Sequence, residues 1–240
     1  MSFRPIAAPA LALAACASGG DPQVARTAYV NANVFDGERF QPGVIVVEGD
    51  SIAADASTAT ERIGLRGGYV VPPFCEAHNH NLGDADRNEE TIAQYLREGI
   101  FYVGILSNLP ALTDPVRHTH NNPDSVDVIF ANGPLTATGG HPIRIREIFL
   151  DRGFYPGFTR ETLPGQGYFV IDNEADLERL WPAILALQPD VIKIMLIASE
   201  EFERRRDDPE FFGSKGLDPA LVPHIVERAH ASGLRVVAHI

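Results

Sequence analysis

Val70-Val71-Pro72-Pro73-Phe74-Cys75-Glu76-Ala77-His78-Asn79-His80 is the stretch that decides the fold of this chain. An apolar, extended run leads into two histidines at i and i+2. Alternate residues of a strand point to the same side, so both imidazoles can reach one ion. By itself His-x-His is a weak pattern, and the chain holds a second copy at His118-Thr119-His120. That copy sits in an Asn-rich connection with no strand before it and reads as surface decoration. The first copy differs because it follows a strand directly, where β/α barrels build their sites.

Outward from this stretch the rhythm changes. Before it, Arg26 to about Arg66 carries short β-like runs and turns: Thr27–Val30, a turn at Asp36-Gly37, then Val44–Val47 and Glu48-Gly49-Asp50 closing a hairpin into Ser51–Ala53. These strands read as part of a small β-sandwich domain, residues 23–68. After Gly67-Gly68, strands and helices alternate. Tyr69–Phe74, Ile100–Leu106, Val126–Ala131, Val191–Ile197 and Leu234–His239 read as strands. Asn88–Arg97, a helix opened by Asp172 as N-cap, and Pro219–Ala231 read as helices. Repeated β-then-α units imply a parallel sheet. The fold class is therefore α/β, a partial (β/α)8 TIM-type barrel over residues 69–240 with about five strands. The sequence stops inside the fifth strand, which implies a barrel truncated there.

Two further residues fall where such a barrel would place chemistry. The chain has 20 Lys and Arg, yet only Lys193 and Lys215 are lysines. Lys193 lies inside the apolar run Val191-Ile192-Lys193-Ile194-Met195, where an unpaired ammonium costs several kcal/mol. Desolvation lowers a lysine's pKa and leaves a neutral amine. Such an amine can take up carbon dioxide as a carbamate, an anionic ligand that bridges two cations; the alternatives are a lysine that snorkels to the barrel mouth or pairs with a carboxylate. His239 ends the next strand and would project into the same mouth.

His-x-His after strand one, a lysine in strand four and a histidine ending strand five together resemble the amidohydrolase superfamily, over Tyr29 to Ile240. The resemblance implies that His78 and His80 hold the more buried of two divalent metal ions. Lys193 would bridge as its carbamate and His239 would hold the second ion, zinc suiting these donors best. Thr136-Ala137-Thr138-Gly139-Gly140-His141 is similar to a loop of the imidazolonepropionase and Xaa-Pro dipeptidase branch, which puts His141 beside the substrate. The implied activity is hydrolysis of a C–N bond in an amide, cyclic amide or dipeptide by a metal-bridged hydroxide. Pro73 and Glu76 stand where the family usually has Gly and Asp. The family's strand-six histidine and its catalytic strand-eight aspartate have no counterpart here, so this stretch alone is expected to be inactive. A different class, a degenerate lipoprotein that only binds a ligand or partner, is the alternative.

Composition bounds the partners. With 32 Asp and Glu the net charge is −12, which argues against a nucleic-acid surface and leaves a small-molecule substrate and a homo-oligomer open. Residues 1–22 resemble a bacterial lipoprotein signal and tether: Arg4, an apolar Ala/Leu stretch, then Leu13-Ala14-Ala15-Cys16. Lipidation at Cys16 would make the protein exported and membrane-held only through its lipid, facing the periplasm, against a cytoplasmic alternative. Cys75 would then be the lone thiol, which leaves no intrachain disulfide.

Overall fold

The structure is a computed structural model that describes residues 25–53, 55, 57, 59–83 and 86–240. The expected signal segment and Cys16 lie outside the described residues. The chain divides into two compact units, Met1–Pro72 and Pro73–Ile240.

The first unit is one four-stranded sheet. Its strands are β1 (Arg26–Phe35), β2 (Phe40–Glu48), β3 (Ser51–Ala53) and β4 (Glu61–Val70), in the order β3-β2-β1-β4. β1 pairs antiparallel with β2 and parallel with β4. The turn between β1 and β2 is fixed by Asp36, whose Oδ1 accepts from the backbone N–H of Glu38 and Arg39, each at 3.0 Å. Glu48↔Ser51 and Val47↔Ile52 close the β2–β3 hairpin around Gly49.

The second unit alternates strand and helix. Its strands are β5 (Phe74–Asn79), β6 (Ile100–Ile105), β7 (Asp127–Phe130), β8 (Leu135–Thr136), β9 (Phe169–Val170), β10 (Val191–Met195) and β11 (Arg235–His239). All pairings among them are parallel, in the orders β5-β6-β7 and β11-β10-β8-β9. The Asp190 N–H donates to the Phe130 carbonyl at 2.8 Å, so the start of β10 continues from β7. β5, β6, β7 with β8, β10 and β11 thus follow one another as successive staves of a barrel wall. The intervening helices are α1 (Asn88–Arg97), α2 (Pro110–Thr113), α3 (Ile143–Asp151), α4 (Glu174–Ala186), α5 (Phe202–Arg205) and α6 (Val222–Ala231).

Three local expectations change, each for a physical reason. The apolar run Tyr69–Phe74 is not one strand. Pro72 and Pro73 have no N–H to give a ladder, so β4 ends at Val70 and β5 begins at Phe74, whose N–H donates to Gly99 O at 2.8 Å. The unit boundary accordingly falls a few residues past Gly68. The third stave is interrupted at Asn132, which adopts φ 59°, and at Gly133, where a Cβ would stand 2.5 Å from the Gln166 carbonyl oxygen. The N-cap of α4 is Asn173, whose side chain accepts from Asp176 N–H, and not Asp172. His120 is 4% exposed, packed 5.9 Å from the Phe130 ring, with neither ring nitrogen hydrogen-bonded; it is not surface decoration.

Helix α4 buries Leu177, Trp181 and Ile184 at helical spacing against Ile192 and Ile194 of β10, with Leu221, Ile225 and Ala229 beside them. Each fully buried aliphatic or aromatic side chain of this kind contributes about 1.5–3 kcal/mol. This cluster is what holds β10 in place. Among the described residues, no helix is long and apolar enough to cross a membrane.

Candidate metal centre

All five residues of β10 are buried, but its two faces differ. Ile192 and Ile194 pack outward against α4 and α6, while Val191 clusters with Leu106, Ala131 and Val237 on the opposite side. Period-2 alternation therefore turns Lys193 to that inner side. β11 pairs in register, Lys193 with Val237 and Met195 with His239, so His239 lies on the same face one step further along the strands. Lys193 is 2% exposed and makes no hydrogen bond or ion pair within the described residues.

The histidines of β5 and its C-terminal end meet the same point. The ring centroid of His78 is 5.1 Å from that of His80 and 5.8 Å from that of His239, and His141 lies 5.1 Å from His239. His78 and His80 are exposed, and His141 and His239 are partly buried. His80 Nδ1 lies 3.2 Å from the Ser107 carbonyl oxygen, a contact that holds the ring and, with the proton on Nδ1, frees Nε2 as a lone-pair donor.

Electrostatics bias this group toward its uncharged forms. Burial, then the nearby Lys193 ammonium, holds His78 and His239 below the ordinary imidazole range. For His80 burial is again the first cause, opposed by the Ser107 hydrogen bond and reinforced by Arg146 and Lys193. For His141, burial comes first and His239 second. Burial alone lowers Lys193. Neutral imidazoles and a neutral amine are the protonation states that ligate metals or take up carbon dioxide.

The arrangement also passes a geometric test of fit. A nitrogen about 2.0–2.1 Å from an ion puts its ring centroid about 3.2 Å away, so two rings sharing one ion stand about 4.5–6.4 Å apart. The His78–His80 separation, the one pair expected to share an ion, falls inside that window. Among the described residues, no group of three or more His, Cys, Asp or Glu stands so that it could hold a metal ion. The cluster is a set of neighbouring ring pairs, His78 with His80, His78 with His239 and His141 with His239.

Sequence reading missed several residues that shape this site. Asp172 clamps the loop before His141: its Oδ1 accepts from Thr138 N–H at 2.8 Å and its Oδ2 from Thr138 Oγ1 at 2.6 Å. Lys215 O accepts from His141 N–H at 2.8 Å, and Gly213 N–H donates to Gly139 O at 2.8 Å, so segment 213–215 braces the same loop. A Cβ on Gly140 would meet the backbone oxygens of Ala137 and Lys215 at 2.9 and 3.1 Å, which is why glycine stands there. Arg146, buried one turn after Pro142, bonds Ser107 and Tyr155. A hint existed only for Arg146, as a charged residue on the apolar helix Ile143-Arg144-Ile145-Arg146; the others depend on contacts between distant segments.

The fold and site define part of a β/α barrel with histidines at the C-terminal ends of its strands and a buried lysine within one of them. Solved structures share this fold. A Xaa-Pro dipeptidase solved with methionine in its active site superposes with TM-score 0.62 at 16% identity, over 90% of this chain and 56% of that one. An amidohydrolase gives TM-score 0.60 at 19% identity over 89% and 56%. The ochratoxinase of A. niger gives 0.59 at 18% over 91% and 56%. At these identities the likeness establishes a shared fold, and the chain spans little more than half the length of these structures. No protein-family model matches the sequence, and no curated protein does.

Proposed function

We propose that the protein is a metal-dependent hydrolase of C–N bonds, acting on an amide, cyclic amide or dipeptide. The observation that carries this reading is the meeting of His78, His80 and His239 beside a buried Lys193, drawn from three different staves of the barrel. The fold shared with an amidohydrolase, a Xaa-Pro dipeptidase and an ochratoxinase supports it.

In this reading His78 and His80 would hold one divalent ion and His239 a second, Lys193 would contribute an anionic oxygen donor if carboxylated, and zinc would match these donors best. Bound there, the ions would supply Lewis-acid polarisation of the scissile carbonyl and lower the pKa of water. The chain's own part is to bias these donors toward their uncharged forms and to fix their direction. The Ser107 carbonyl orients His80, and the α4–α6 cluster holds Lys193 and its strand. His141, on a loop braced by Asp172 and Lys215, borders the substrate and offers it a hydrogen-bonding ring. Export as a lipoprotein through Cys16 completes the proposal.

The test is an amidase assay of the full protein on N-acyl amino acids and dipeptides, before and after chelation. Turnover that chelation abolishes and zinc restores is expected. Turnover indifferent to chelation would refute the metal-dependent reading.

A further inference from the structure

Lys215, the second of the chain's two lysines, is 8% exposed and lies on the excursion that joins β10 to α6. Its Nζ donates to a main-chain oxygen, Arg206 O, at the C-terminal end of α5. There it satisfies one of the acceptors that a helical turn leaves open. Its own carbonyl oxygen accepts from His141 N–H at 2.8 Å. Between those two bonds the stem lies beside Gly139, where a Cβ would stand 3.4 Å from Cε and 3.7 Å from Nζ. Gly139 has φ 69°, a conformation that glycine adopts without strain, and its carbonyl oxygen accepts from Gly213 N–H. The His141 ring also meets the Gly213 main chain, which opposes the lowering that burial causes.

The excursion is tied within itself and to β10. Arg205 Nη1 donates to Ser214 O at 2.9 Å and Arg205 Nε to Glu201 Oε2 at 2.6 Å, with the guanidinium 4.7 Å from the Phe211 ring. Leu217 N–H donates to Met195 O at 2.7 Å, and a Cβ on Gly216 would collide with that same oxygen. His141 itself belongs to a loop, since α3 starts at Ile143. Its direction is therefore set by whatever holds that loop. Asp172 fixes the loop where it begins, at Thr138. Lys215 fixes it where it ends, and the same side chain reaches back to the outer turn of the excursion.

We propose that Lys215 is the positioning residue for His141. Its carbonyl and its ammonium join segment 199–215 and loop 137–141 into one body, so the imidazole is presented beside His239 only while that body is whole. A narrow aliphatic stem fits beside Gly139, and a donor at its tip completes the α5 turn. Methionine would keep the first and lose the second. The proposal rests on the hydrolase reading for what His141 does to a substrate, but the brace stands on the contacts alone.

Hydrogen exchange of the full protein, read by mass spectrometry on peptides covering 137–141, 199–215 and 174–195, tests the brace. In the parent the first two should open together, with equal urea dependence. Lys215→Met should speed exchange in both by about tenfold, the loss of one buried hydrogen bond, and leave 174–195 as it was. Lys215→Arg, which keeps a donor at the tip, should restore part of the protection. Faster exchange in 199–215 alone, no change in either, or an arginine variant no better protected than the methionine one overturns the proposal. So does an equal rise in all three peptides, which is what a merely structural lysine would give. Should Lys215→Met fail to fold, the parent decides, since different urea dependences for the two segments would contradict a single body. Turnover of N-acyl amino acids and dipeptides supplies the second readout. Lys215→Met should raise KM about tenfold with kcat nearly unchanged, and an unchanged KM would refute the positioning role. A parent that turns over none of them sinks the hydrolase reading, and the exchange result still decides this one.

Discussion

Replacing Lys193 by methionine should stabilise the metal-free protein, because the lysine is placed for chemistry at a cost to the fold. Lys193 is 2% exposed in a strand whose other four residues, Val191, Ile192, Ile194 and Met195, are also buried. Its Nζ has no hydrogen-bond partner among the described residues. It is not among the atoms fully withdrawn from solvent, so the cost falls at the low end of the range for a buried polar group. Burial pushes its pKa down from 10.5. A buried polar group without a partner costs about 1–3 kcal/mol, and methionine is a close match in volume and shape. The expected gain for Lys193→Met is therefore about 1 kcal/mol at neutral pH. The sign of its pH dependence follows from linkage. Between the lowered native pKa and 10.5 the unfolded chain binds the proton that the native state refuses, so the parent gains stability as pH rises through that interval and the advantage of the variant narrows. Urea unfolding of chelator-treated protein in CO2-free buffer, at several pH values, measures this. A variant less stable than the parent by more than about 1 kcal/mol would show that Lys193 has a satisfying structural partner, and the argument from burial to chemistry would fail.

Three other substitutions test the packing of single residues. His120→Leu should stabilise by about 1–3 kcal/mol, since it removes two buried ring nitrogens without partners. Burial lowers His120 from 6.5, so stability in the parent should fall as pH drops below about 6.5, and the variant should show a shallower fall in the same titration. Gly140→Ala should cost about 1–3 kcal/mol through contact with the Ala137 and Lys215 carbonyls, and should reduce turnover by displacing His141. Gly64→Ala, where a Cβ meets nothing within 4 Å, should leave thermal stability and turnover unchanged.

How much was legible before the structure depended on whether a signal was local. Alternation of side chains made the pairing of His78 with His80 readable, and an amine inside Val191–Met195 announced itself by violating the pattern around it. The Leu177, Trp181 and Ile184 stripe of α4 followed from spacing alone. The limits are equally physical. An apolar run such as Tyr69–Phe74 does not say which sheet its residues join, and two adjacent prolines, each without an N–H, divided it. Asp172 and Asn173 are both good helix caps. The choice between them was made by Thr138, thirty-four positions away, which occupies the Asp172 carboxylate. His120 looked like surface because its surroundings in sequence are polar; Phe130 covers it from another strand.

The metal content of the purified full protein, measured alongside His78→Ala, His239→Ala and a His118→Ala control, examines the convergence of strand-end ligands most directly. Transition metal present in the parent and in the control, and lost from both site variants while their thermal unfolding stays cooperative, is the predicted result. Equal metal in all four proteins, or none in a parent supplied with zinc, would contradict the account.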